Sequence, residues 1–128
     1  MSRTYTAIGA ILGLLAVAIG AFGAHALKDV LDEEARKVYE TGVQYQMYHA
    51  LALLLIAVLA HTWGESASLR WAARLFLIGI LLFSGSLYVL SISGVKVLGA
   101  ITPLGGVAFI AAWILVVVSA LRKKRLDD

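Results

Sequence analysis

The sequence predicts an all-α integral membrane protein: a four-helix transmembrane bundle with an amphipathic connector between its first and second spans. Three observations predict it. Of 128 residues, 61% are apolar and only 15% charged, against about 45–50% and about 25% in soluble domains. A chain this short cannot hide that much apolar surface within itself, so the surplus faces lipid. The apolar residues also fall into four continuous runs near the roughly 20 residues that a helix needs to cross hydrocarbon, without the strict alternation of barrel strands.

The chain therefore reads as one transmembrane domain, residues 1–128, with spans at about 5–26, 45–62, 71–93 and 102–121. The first run, Tyr5 to Ala26, carries no charge. Its end contains Ala24-His25-Ala26, which resembles a signal-cleavage triplet, but the apolar stretch exceeds the roughly 7–15 residues of a signal peptide. A retained helix is expected. Gly9 and Gly13 form a GxxxG pair, and Gly20 and Gly23 continue the small residues toward His25. In lipid, close packing of such residues drives helix association, so Gly9, Gly13, Gly20 and Gly23 are expected at a helix contact.

Between Lys28 and Gln44 the apolar residues Leu31, Ala35, Val38, Tyr39 and Gly42 recur at helical spacing among Glu34, Arg36, Lys37 and Glu40. This pattern predicts an amphipathic segment lying at the membrane interface and running into the second span. Asp32 is the expected cap, with Glu33 and Glu34 favourably placed in the first turn. Thr62 to Arg70 and Gly94 to Gly99 read as hairpin loops. The third span places Arg74 in its first turn, where it can snorkel. Thr102-Pro103 reads as N-cap and first-turn proline of the fourth.

Charge sets the expected orientation. The N-terminus, second loop and C-terminus share one side and carry Arg3, Arg70, Arg74 and the tail Arg122-Lys123-Lys124-Arg125. The other side carries Lys28, Arg36, Lys37 and Lys96. Seven basic residues against four place both termini in the cytoplasm. The net charge of +3 is concentrated in that tail. It reads as an anchor to anionic headgroups rather than a nucleic-acid surface; the expected partners are the bilayer and a homo-oligomer or larger membrane complex.

Without cysteine the chain has no disulfide, thiolate ligand or thiol nucleophile. No paired carboxylates, P-loop or triad occurs, and no Asp or Glu lies deep in a span; no catalytic residue, metal or cofactor is expected. The one polar cluster of interest is His25, Gln44, Tyr48 and His49, because antiparallel spans bring His25 and His49 to a similar depth. Two histidines could bind a metal or haem, or relay protons. Alternatively, each hydrogen-bonds a neighbouring backbone or hydroxyl group. His61 lies about 18 Å further along the helix and belongs to neither.

The segments GAFGAHALK (Gly20 to Lys28), YETGVQYQMYHALALL (Tyr39 to Leu54), LFSGSLYVLS (Leu82 to Ser91) and LGAITPLGGVAFIAAW (Leu98 to Trp113) carry a resemblance. They are similar to the small bacterial inner-membrane family catalogued as domain of unknown function four-two-three, which has small vertebrate transmembrane relatives. The resemblance covers nearly the whole chain, in order and with comparable spacing. It implies a four-helix inner-membrane protein and transfers no catalytic residue. The resulting expectation is a structural or accessory membrane component acting by helix packing or oligomerisation. The alternative is a protein that binds or transports a small ligand, lipid or metabolite in a polar cleft on the outer side.

Overall fold

The computed structural model describes residues 2–127, with side chains described as far as Arg122. Helix α1 spans Ser2–His25, α2 Glu33–Trp63, α3 Ala67–Gly79, α4 Gly85–Ser93 and α5 Thr102–Asp127. A π-helical turn, Ile80–Ser84, joins α3 to α4 without a break, and a 3₁₀ turn, Lys96–Ala100, leads into α5. Four stretches are long and apolar enough to cross a membrane: Ser2–His25, Glu33–Trp63, Ala67–Ser93 and Lys96–Arg122. The side chains of the tail residues Lys123, Lys124 and Arg125, expected to anchor the chain, lie outside the described ones.

The expected interfacial connector is not a separate segment. Its residues from Glu33 onward are the first turns of α2 itself, which runs unbroken for 31 residues. At 1.5 Å per residue this is about 46 Å, well beyond the roughly 30 Å of hydrocarbon. The amphipathic pattern at 33–44 therefore records a helix with one face on the bundle and the other exposed. Asp32 caps this helix as expected, its carboxylate accepting from the Ala35 amide at 2.7 Å, with Glu33 and Glu34 in the first turn. The connector proper is the short turn of residues 26–32.

Two further boundaries move. The third span begins at Ala67, so Arg74 sits in its second turn, its guanidinium 4.9 Å above the Trp71 ring. Thr102 does not cap α5: the first helical amides reach back to the Ile101 carbonyl, and the Thr102 hydroxyl meets Ser86 Oγ at 2.6 Å. Pro103 remains in the first turn, where a missing N–H leaves no carbonyl unpaired. The third span ends at Gly94, whose positive φ of 72° and amide bond to the Leu90 carbonyl form a left-handed helix stop.

Helix α2 is the hub. Helix α1 packs along one side of it and the α3–α4 span along another, while α5 closes against α3. The apolar core lies among α2, α3 and α5, around Leu53, Ile56, Leu69, Phe76 and Ala112, all fully buried. Small residues allow the close approaches. On α1, Gly9 rests against the Ala50 carbonyl, Gly20 against Val43 and Gly23 against the Tyr39 ring, an antiparallel register. Gly13 takes no part: a methyl group there would meet nothing within 4 Å. The buried seam of α1 is Gly9, Ala16 and Gly23, a seven-residue spacing. That is the period of a left-handed helix pair, not the four-residue GxxxG crossing that the sequence suggests.

Candidate functional site

Among the described residues the spans bury six polar side chains, and four of them, Gln46, His49, Ser84 and Ser86, bond a neighbouring helix. Gln46, on the buried face of α2, donates from Nε2 to the Leu12 carbonyl of α1 at 2.8 Å. Its Oε1 accepts from the Tyr88 hydroxyl of α4 at 2.6 Å. One amide thus ties three helices together. Nearby, Tyr39 donates to the Ile19 carbonyl of α1 at 2.6 Å, and Ser84 to the Gly42 carbonyl at 2.6 Å. Tyr39 and Tyr88 lie ring to ring, with centroids 5.5 Å apart. Away from water an unmade bond at such groups costs the full desolvation penalty, which is why each donor here finds an acceptor.

The π-turn positions this layer. Its extra residue rotates the chain so that Ser84 reaches Gly42 while Phe83 backs onto Gly105 of α5 with no room for a methyl group. The Gly85 amide reaches back to the Ile80 carbonyl, the wide bond of a π-bulge.

His49 sits in an aromatic box. Its ring stacks on Phe109 with centroids 3.6 Å apart and planes at 5°, and Phe76 and Trp113 flank it at 5.6 and 6.0 Å. Nδ1 bonds the Tyr45 carbonyl at 2.8 Å, and Trp113 Nε1 donates to Nε2 at 3.2 Å. A carbonyl only accepts and an indole N–H only donates, so the ring is neutral with its proton on Nδ1. Both nitrogens are engaged, leaving no lone pair for a metal or haem iron.

The four residues singled out from the sequence are not brought together. His49 is 5% exposed and turned into the α2–α3–α5 core, whereas Tyr48, next in the chain, is 55% exposed. Gln44 is also exposed. His25 is exposed in a shallow cleft with Lys28, Arg36 and Glu40. Successive residues on a helix point about 100° apart, so Gln44, Tyr48 and His49 cannot share one face of α2. Sequence reasoning missed Gln46, Tyr88 and Trp113. A signal for Gln46 existed: Tyr39, Gly42, Gln46, His49 and Leu53 recur every three or four residues and form the buried face of α2.

Four long apolar helices, held by hydrogen bonds between spans, define a polytopic α-helical membrane protein. Residues 19–106 match the family described as Protein of unknown function (DUF423). The chain is 51% identical over 120 residues to UPF0382 membrane protein YwdK of Bacillus subtilis, covering 94% of this chain and 98% of that one. It is 41% identical to a UPF0382 membrane protein of Staphylococcus haemolyticus, covering 94% and 97%. A UPF0382 membrane protein of Staphylococcus aureus is 43% identical over the same shares. The chain belongs to this DUF423 membrane protein family. No solved structure matches it.

Proposed function

We propose that this chain is a non-enzymatic structural or accessory component of the bacterial cytoplasmic membrane, acting through helix packing with itself or a larger complex. The observation that carries this reading is the use made of the intramembrane polar groups. Gln46, Tyr88, Tyr39, Ser84 and His49 are spent on bonds within the bundle; none of them lines the cleft around His25 or the one between α2 and α4. Such a fully satisfied network rigidifies a bundle. Both termini lie in the cytoplasm, with Arg3, Arg70, Arg74 and Arg122 at that end by the positive-inside rule.

Native mass spectrometry after in-membrane crosslinking tests this. A discrete homo-oligomer or a reproducible complex is the expected result. A lone monomer at every detergent and crosslinker concentration would overturn it.

One observation favours a second reading, ligand binding at the outer end. A cleft of about 740 Å³ opens there between the start of α2 and the end of α4, with Leu31, Val38 and Leu90 on its walls and Lys96 and Glu34 at its rim. It is not the cluster that the sequence pointed to. A molecule that co-purifies with the protein and is lost on Leu90→Trp would favour this reading.

A further inference from the structure

Where α1 ends against the first turns of α2, a cleft of about 360 Å³ is bordered by His25, Lys28, Arg36 and Glu40. All four side chains are exposed, and among the described residues none of them forms an ion pair or a side-chain hydrogen bond. Arg36 and Glu40 stand four residues apart on α2, the spacing at which Glu33 and Lys37 do pair, at 3.7 Å. Two cations, an imidazole and a carboxylate thus border one opening without neutralising one another.

The end of α1 adds acceptors to it. The amides of Ala26 and Leu27 both return to the Phe22 carbonyl. The carbonyls of Gly23 and Ala24, residues that also border the cleft, therefore receive no backbone amide among the described residues and carry the negative end of the helix dipole. The cleft also lies at a particular depth. Helix α2, about 46 Å long, outruns the roughly 30 Å of hydrocarbon, so its first turns stand at the level of lipid headgroups. From His25 the same face of α1 runs down into the hydrocarbon through Phe22, Ala18, Leu14 and Ile11, all exposed.

We propose that this cleft binds the headgroup of a phospholipid bearing both a phosphate and a primary ammonium, as in phosphatidylethanolamine, with its acyl chains along that face of α1. The Lys28 ammonium and Arg36 guanidinium hold the phosphate, the guanidinium taking two oxygens at once, and an imidazole N–H of His25 adds a third donor. Glu40 and the terminal carbonyls of α1 accept from the ammonium. Arg36 and Glu40 are about 6 Å apart along the helix axis, a separation that the two carbons of ethanolamine can span. Phosphatidylglycerol would leave Glu40 facing an anion with no cation between them, and a choline headgroup has no N–H to donate. The site is separate from the cleft between α2 and α4 and stands independently of the structural role proposed above.

The test uses the full-length protein in phosphatidylcholine nanodiscs containing either phosphatidylethanolamine or phosphatidylglycerol, with retained lipid read by native mass spectrometry. Wild type retains phosphatidylethanolamine over phosphatidylglycerol. Lys28→Gln and Arg36→Gln each weaken that retention about threefold, the size of an exposed charge pair, and about tenfold together. Glu40→Gln reverses the order, so that phosphatidylglycerol is retained over phosphatidylethanolamine. Lys37→Gln, which removes an equal charge outside the cleft, changes nothing. All four side chains are exposed, so the variants fold, and an unchanged Tm checks it. Soluble glycerophosphoethanolamine separates the sources: it leaves the lipid in place if the acyl chains contribute, and its displacing the lipid at equal concentration overturns the assignment to a lipid. Equal retention of the two lipids by wild type, an unaltered order in Glu40→Gln, or a loss in Lys37→Gln as large as in Arg36→Gln overturns the proposal, leaving only general attraction of basic residues to the membrane surface.

Discussion

Gln46 accepts the phenol proton of Tyr88 at 2.6 Å while giving its own amide proton to the Leu12 carbonyl at 2.8 Å. Removing it therefore breaks one bond from α2 to α1 and one from α2 to α4 in a single step. Gln46→Leu is expected to cost about 1–2 kcal/mol, within the range of bonds between membrane helices and of buried donors left unpaired. Unfolding in mixed micelles measures it. A double-mutant cycle with Tyr88→Phe isolates the pair, and additivity of the two substitutions would show that the contact carries no energy.

The His49 tautomer is set by its neighbours. Solid-state ¹⁵N NMR of labelled protein is expected to show a protonated Nδ1 and an unprotonated Nε2. Trp113→Phe keeps the edge contact with Phe76 and removes the donor to His49. A loss of about 0.5–1.5 kcal/mol is expected. A protonated Nε2 would contradict the assignment.

The glycines separate into those pressed by neighbours and those that are not. Gly105→Ala forces a methyl group onto the Phe83 backbone and is expected to cost about 1–3 kcal/mol. Gly13→Ala meets nothing and should stabilise α1 by about 0.5–1 kcal/mol, since glycine is a poor helix former. Equal effects of the two would mean that the bundle packs differently.

Because the chain lacks cysteine, single-cysteine variants report its orientation cleanly. Ser66→Cys is expected to react with a membrane-impermeant maleimide only from the cytoplasmic side. Val97→Cys, in the opposite loop, should react only from outside. Reversed labelling would invert the topology.

The helical class, the number of spans and the Asp32 cap were legible in the sequence because each depends on local composition. The His25–Gln44–Tyr48–His49 cluster was not a sound reading, because similar depth in the membrane says nothing about the direction of a side chain around its helix. Gln46 passed unnoticed, although it shares a face with Tyr39, Gly42 and His49.

By itself, then, the sequence determined that the chain lives in lipid as four helices and where most of them stop. Hydropathy and capping are properties of short segments, and no distant residue changes them. Only the tertiary structure decided that the connector is the start of α2, that Gly9 rather than Gly13 meets it, and that a π-turn turns Ser84 to Gly42. These depend on rotation and register between helices, which are fixed when small residues and polar groups find partners many residues away.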